Sequence, residues 1–456
     1  MIQVLHGSCL EELAKLPAGH FHCCVTSPPY WGLRDYGTPP LVMGGDPLHA
    51  HDFVEHVQPA ANGIIHDGGM SGETLSGTSA TRKPKRSGFC ECGAWRGHIG
   101  LEPTPEHYVA NQVLIFREVR RVLRDDGTLW LNIGDCWNAY NGGAGPGSKL
   151  SKTQSEQRPH LESGYGLRDK GLKAKDLVGI PWRLAFALQA DGWYLRSEII
   201  WHKRNGMPES VRDRPSKAHE QLFLLTKSRR YFYDGLAVAE PVVRGAAGSS
   251  FLEGKTGVNG DGRNSLRPRD DASIKNARDV WSLSLEGYKG AHFAVMPSEL
   301  VRRCLRSGTS ERGCCSACGK PWRRLTEKNR VPTRPGTSSK VNRASAFEAS
   351  PYNGHSGDVV GNRDPHRHCT EIVTVGWEAA CACGGEPVRC RTLDPFGGSG
   401  TVGQVAAWLG LDATLIELNA AYLPLIEERV KTLPRCAKVK QEKPATLIAE
   451  PMPLFE

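Results

Sequence analysis

Asp394-Pro395-Phe396-Gly397-Gly398-Ser399-Gly400-Thr401 stands between an apolar-polar run, residues 388–393, and a segment of helical character, residues 402–409. Strand, glycine turn and helix in that order open a βαβ unit. Glycine lets a backbone come close to a ligand, and the first turn of the following helix offers unpaired N–H groups to a carboxylate or phosphate. The next strand, residues 411–416, ends in Glu417, placed about twenty residues after the turn, where a carboxylate would meet the hydroxyls of a nucleoside ribose. The turn lacks the spacing of the dinucleotide fingerprint, and a tight strand-to-helix connection would use the same glycines. Its meaning depends on the rest of the chain.

Working outward to the N-terminus, residues 2–5 read as a strand, 9–16 as a helix and 22–26 as a second strand that runs into Ser27-Pro28-Pro29-Tyr30. Loops at strand ends are where α/β proteins place their chemistry. Two prolines hold this loop extended and remove two N–H donors, leaving the carbonyls near Ser27 and Pro28 as directed acceptors. The amino group of a nucleobase is a poor nucleophile because its lone pair is delocalised into the ring. Two acceptors holding its hydrogens would turn that lone pair outward, while Tyr30 stacks on the base. Such catalysis is positioning and electrostatics. Taken alone, the loop is equally a proline-rich turn that closes a strand.

The two motifs together resemble the amino-methylating DNA methyltransferases of bacteria and phages. Residues 26–30 match that family's catalytic S/D/N-P-P-Y/F motif, and residues 394–400 match its S-adenosylmethionine motif with a Phe-x-Gly-x-Gly core. The catalytic motif comes first, as in the circularly permuted beta group. Residues 129–135, 199–203 and His219-Glu220 with residues 224–228 look like further parts of the same domain. His292-Phe293-Ala294 with Pro297 resembles the segment that closes over the methionine end of the cofactor. The resemblance implies an α/β, Rossmann-like methyltransferase fold: a circularly permuted, seven-stranded, mostly parallel sheet with one antiparallel edge strand. It assigns catalysis to Ser27, Pro28, Pro29 and Tyr30. Cofactor binding falls to Asp394, Phe396, Gly398, Gly400, Thr401, Glu417, His292 and Pro297.

The expected organisation follows. Residues 1–36 carry the catalytic motif, and 37–100 form an insertion rich in Gly, Ser and Pro, without periodicity. Residues 101–234 continue the methyltransferase domain. Within them a helix over 105–123 has Val109, Val113, Phe116, Val119 and Leu123 at helical spacing, with strands at 128–133, 193–202 and 221–226 and a helix at 176–190. Residues 235–280 are the candidate target-recognition segment, 281–307 a helix that closes on the cofactor, 308–390 a cysteine-bearing insertion, 391–435 the cofactor unit and 436–456 a tail.

Fifteen cysteines in a chain of 456 residues with no leader-like N-terminus suggest metal ligation in a cytoplasmic protein rather than disulfides. Cys315, Cys318, Cys381 and Cys383 could close a tetrahedral zinc site. A weaker set is His49, His51, Cys90 and Cys92, whose one-residue spacings are unusual and whose His49 stands where the family would suggest a cysteine. Cys314 and Cys390 are poorer candidates. No run is long enough to span a bilayer, and a net charge of +9 favours a polyanionic partner, double-stranded DNA. Basic residues at 81–86, 203–214 and 263–269 could meet phosphates, although such runs are commonly solvated surface. A serine at the head of the catalytic motif resembles the cytosine-N4 enzymes, whereas most adenine-N6 enzymes carry Asp or Asn there. Cytosine-N4 methylation is the expectation and adenine-N6 the alternative. An enzyme acting on protein or RNA, and a silent zinc-containing DNA-binding protein, are further readings. A restriction endonuclease is a conceivable genetic partner.

Overall fold

In the computed structural model the described residues are 1–32, 36–58, 85–138, 172–173, 175–241, 274–287, 295–332 and 368–432. The strands are β1 (Ile2–His6), β2 (Phe21–Thr26), β3 (Leu41–Met43), β4 (Val54–Gln58), β5 (Lys85–Phe89), β6 (Trp95–Gly97), β7 (Leu123–Ile133), β8 (Tyr194–Lys203) and β9 (His219–Thr226), then β10 (Glu240–Pro241), β11 (Ile274–Lys275), β12 (Val280–Leu283), β13 (Cys314–Cys315), β14 (Arg323–Pro332), β15 (His368–Glu378), β16 (Pro387–Val388), β17 (Arg391–Asp394) and β18 (Asp412–Glu417).

Among the described residues the main sheet has eight strands in the order β1-β18-β17-β2-β7-β9-β8-β12. Seven run the same way and only β9 runs against them, since it is antiparallel to both β7 and β8 while β12 is parallel to β8. Two expectations are corrected here. The sheet gains an eighth strand because Val280–Leu283, too short to stand out in sequence, pairs with residues 200–203 of β8. The antiparallel strand lies inside the sheet, because β9 is paired with β7 on one side and β8 on the other.

Alternation along the strands splits the core into two layers. Cys24, Leu129, Leu131 and Phe223 face a cluster with Leu13, Ile115, Phe116 and Leu184 from the helices Cys9–Lys15, Pro105–Val122 and Ile180–Ala190. Cys23, Val25, Trp130 and Leu222 face the opposite cluster, with Leu300, Val301, Val405 and Ile426 from Ser298–Gly308, Thr401–Trp408 and Leu423–Lys431. All six residues of β2 are buried, as a central strand covered on both faces requires.

The helix Pro105–Val122 starts where Thr104 accepts a hydrogen bond from the His107 N–H at 3.1 Å, with proline in its first turn. It buries Tyr108, Gln112, Ile115, Phe116, Val119 and Val122. Val109 and Val113, expected in its core stripe, sit half-buried at its margin, because Tyr108 turns the buried face by about one residue. The helix expected from 176 begins at Ile180, after Gly179 in the left-handed region at φ 76°.

The insertion at 37–100 was expected to be loop and contains β3-β6-β5-β4, a four-stranded antiparallel sheet. Its strands are short, and their pairings join residues as far apart as Leu41 and Gly97, which no local period reveals. In the second insertion β14 and β15 form a long antiparallel ribbon, and β13 pairs with β16. His292 and most of the target-recognition segment, 242–273, lie outside the described residues.

Candidate active site

β2 and β17 are neighbours in the sheet and parallel, so the loop after Thr26 and the loop after Asp394 emerge side by side at one edge. The two motifs, more than 360 residues apart in sequence, are joined directly: the Thr26 hydroxyl donates to Asp394 Oδ1 at 2.7 Å. Asp394 also accepts from the Phe396 N–H at 3.1 Å. Burial raises its carboxyl from 3.8 to about 7, since the charged form loses its water.

The glycine turn is a bare cradle. Gly398 and Gly400 have φ of 53° and 80°, a region that favours glycine, and Gly400 caps the helix Thr401–Trp408. A Cβ on Gly400 would also lie 2.9 Å from the Ile426 side chain. Glu417, at the end of β18, accepts from the Gly398 and Asn419 N–H groups, each at 2.7 Å. A carboxylate has about four lone-pair positions, so two remain for the hydroxyls of a bound molecule. Burial raises the Glu417 carboxyl above its usual range. Thr401 is buried in the first helical turn, whereas Phe396 is half-buried against the core. Pro297 precedes the helix Ser298–Gly308 as its N-terminal flank.

Around Ser27–Tyr30 the structure assembles residues to which the sequence alone assigned no role in the site. The Ser27 hydroxyl donates to the Tyr30 oxygen at 3.3 Å, and the Tyr30 hydroxyl donates to Glu220 Oε2 at 2.7 Å. Asn132 Nδ2 donates to both the Tyr30 oxygen (2.8 Å) and Glu220 Oε2 (3.0 Å). Lys203 Nζ closes the set on Glu220 Oε1 at 2.6 Å. Burial opposes the Glu220 charge, but Lys203, Tyr30 and Asn132 outweigh it and lower the carboxyl from its ordinary value. Glu220 is therefore ionised at neutral pH, and every proton in the chain points toward it. The Ser27 oxygen is left presenting lone pairs. Burial and the neighbouring Glu220 charge push the Tyr30 phenol well up, so it stays protonated.

These partners share one edge for a topological reason. Asn132 is near the end of β7 and Lys203 ends β8, whereas Glu220 is near the start of β9, which runs backwards and so begins where its neighbours finish. In sequence each lies in a stretch that looks like a further part of the same domain and near an end of an expected strand, but neither signal gave it a role in the site. Gly134 packs on the Tyr30 ring, where a Cβ would fall 2.6 Å from Cε2. The Tyr108 hydroxyl occupies the Pro29 carbonyl at 2.9 Å, and the buried Trp31 Nε1 donates to the Glu102 carbonyl. Both fix the loop from behind.

Lys203 was expected in a phosphate-binding run and instead pairs within this pocket; Arg214 of the same run pairs with Glu209 and stacks on Trp137 at 3.4 Å. Arg204 and Arg212 remain exposed. The two proposed metal sets each converge. The atoms of His49, His51, Cys90 and Cys92 lie within 4.8 Å of one another, as do those of Cys315, Cys318, Cys381 and Cys383. Among the described residues no helix is long and apolar enough to cross a membrane.

Residues 21–315 match the family model described as DNA methylase, a span that contains Ser27–Tyr30, Asn132, Lys203 and Glu220, while the glycine turn lies beyond it. The chain is 38% identical to the type II methyltransferase M.XycI of Xanthomonas campestris pv. cyanopsidis over 67% of its length and 72% of that protein. It is 37% identical to the type II methyltransferase M.Cfr9I of Citrobacter freundii, with the same coverage. Among solved structures it is similar to the PvuII DNA methyltransferase (cytosine-N4-specific), with 12% identity, 94% of this chain and 86% of that chain covered, and a TM-score of 0.42.

Proposed function

The chain belongs to the DNA methylase family of amino-methylating enzymes, and from that premise we propose that it methylates the exocyclic N4 of cytosine in double-stranded DNA, using S-adenosylmethionine. The observation that carries this reading is the hydrogen-bonded chain from Ser27 through Tyr30 to Glu220, set beside the glycine turn by the Thr26–Asp394 bond.

The cradle suits the cofactor: two glycines leave backbone exposed at a helix N-terminus, and Glu417 keeps lone pairs for ribose hydroxyls. When bound, S-adenosylmethionine supplies a methyl group on a cationic sulfur. The protein's own part is to make the amino nitrogen a nucleophile. Ser27 Oγ accepts one amino hydrogen because its own proton is committed to Tyr30, and the Ser27 or Pro28 carbonyl accepts the other. Held so, the lone pair leaves conjugation and would be free to take the methyl group that the bound cofactor supplies, after which the nitrogen has one proton too many. The surplus proton passes from nitrogen to Ser27 Oγ, from Ser27 to Tyr30 and from Tyr30 to Glu220. A weakly basic carboxylate suffices, because a methylated aminium is strongly acidic. Lys203 keeps Glu220 ready to receive it.

The target nitrogen is inside a duplex, so the base is flipped into the pocket and held against Tyr30. Residues 235–280 are proposed to read the sequence around it. The permuted family order, a type II restriction-modification setting and a cognate endonuclease belong to the same proposal, supported by the type II relatives. The serine at position 27 supports N4 of cytosine over N6 of adenine. Mass analysis of nucleosides from DNA treated with the purified protein and cofactor tests the activity and the base. N4-methylcytosine is expected; N6-methyladenine would overturn the base assignment, and no methylated nucleoside would overturn the activity.

A further inference from the structure

Each of the two insertions gathers four soft metal ligands at a point where it has little core of its own. We infer that the protein holds two structural zinc ions, one on Cys315, Cys318, Cys381 and Cys383 and one on His49, His51, Cys90 and Cys92. This inference does not depend on the methyl-transfer reading.

The ligand atoms lie close enough together to share one tetrahedral ion. With Zn–S about 2.3 Å and Zn–N about 2.0–2.1 Å, sulfur–sulfur edges come to about 3.8 Å and sulfur–nitrogen edges to about 3.6 Å. In the N-terminal set His49 Nδ1 is 3.5 Å from Cys90 Sγ and His51 Nδ1 is 3.3 Å from Cys92 Sγ. In both sets all four atoms fall within 4.8 Å, and none of these cysteines is in a disulfide. Thiolates packed this closely repel one another unless a cation sits among them.

The backbone around them forms metal knuckles. Cys318, Cys383 and Cys92 are each followed by a glycine in the left-handed region, Gly319 at φ 70°, Gly384 at 67° and Gly93 at 87°. The Gly319 N–H returns to the Cys315 carbonyl at 2.8 Å, and the Gly93 N–H to the Cys90 carbonyl at 2.9 Å. A Cβ on Gly385 would fall 2.7 Å from Cys315 Sγ, so the second knuckle closes tightly on the first. Four protein ligands leave no open position, which makes both sites structural.

The C-terminal knuckle also reaches the enzyme's framework. His22 Nε2 donates to the Gly319 carbonyl at 2.8 Å, and its Nδ1 accepts from the Arg391 N–H at 3.0 Å, so one ring ties the knuckle to β2 and β17. Arg124 Nη1 donates to the Cys318 carbonyl at 2.9 Å. The zinc thus braces, from the opposite end, the two strands that carry the motifs, and it clamps the root of the β14–β15 ribbon. A third cluster, His22 with Cys314 and Cys390, takes no metal, because both nitrogens of His22 are spent on backbone bonds.

The test is metal analysis of the untagged full chain, purified without chelators, with Cys318→Ser and Cys92→Ser alongside. About two zinc ions per chain are expected, falling to about one in each variant. Cobalt exchanged into the parent should show thiolate-to-metal charge-transfer bands from both sites, a readout that needs no variant to fold. The buried Cys9→Ser should keep both ions. Parent protein without zinc, iron in its place, or zinc unaffected by either substitution would overturn the inference. Loss only in Cys318→Ser would overturn the N-terminal site, and loss only in Cys92→Ser the C-terminal one.

Discussion

Replacing Asp394 by asparagine removes a charge from the join between the two halves of the site. Asp394 is 2% exposed, and its carboxyl titrates near 7 when folded against 3.8 when free. Between those values the folded protein keeps a proton that the unfolded chain has released, so stability falls as pH rises, by about 1.4 kcal/mol per unit. Above pH 7 the loss is complete and comes to roughly 4 kcal/mol. Asparagine is nearly isosteric, does not titrate, and its oxygen can still accept from Thr26 and Phe396. The variant should match the parent near pH 4 and exceed it progressively toward pH 8. From pH 5 to pH 8 the gap should widen by roughly 3 kcal/mol, or roughly 5 °C in melting temperature for a domain of this size. Melting curves of both proteins without cofactor, at the two pH values, measure it. A gap that does not change with pH, or a variant less stable than the parent at pH 8, would refute the buried, uncompensated carboxylate.

Gly398→Asp and Glu417→Ala should each weaken S-adenosylmethionine binding at least tenfold by calorimetry while the fold persists, because one strains a left-handed position beside a carboxylate and the other removes the ribose acceptor. Ser27→Ala should slow single-turnover methyl transfer by about 100-fold with cofactor affinity unchanged, and Tyr30→Ala should cost base capture roughly 1–3 kcal/mol. A parental rate in Ser27→Ala would exclude the proposed amino-group acceptor. Glu220→Gln should reduce the rate at least tenfold without altering cofactor affinity, and Glu220→Asp should restore part of it. A parental rate in Glu220→Gln would remove Glu220 as the proton acceptor.

The sequence by itself determined what is local. A strand, a glycine turn and a helix at 391–408, and a proline-locked loop after a buried strand at 21–30, depend on neighbouring residues, so Gly398, Gly400, Glu417, Ser27 and Tyr30 were all legible there. The cysteine pairs were legible for the same reason. Only tertiary structure decided what joins distant segments. Sheet order sets Thr26 against Asp394, and the reversed direction of β9 brings Glu220 to the edge where Asn132 and Lys203 end. Lys203, one charge in a basic run by sequence, becomes the counter-ion of a buried carboxylate. The eighth strand and the small sheet of the first insertion were hidden likewise, because a strand of three to five residues carries little period of its own and exists only through its partner.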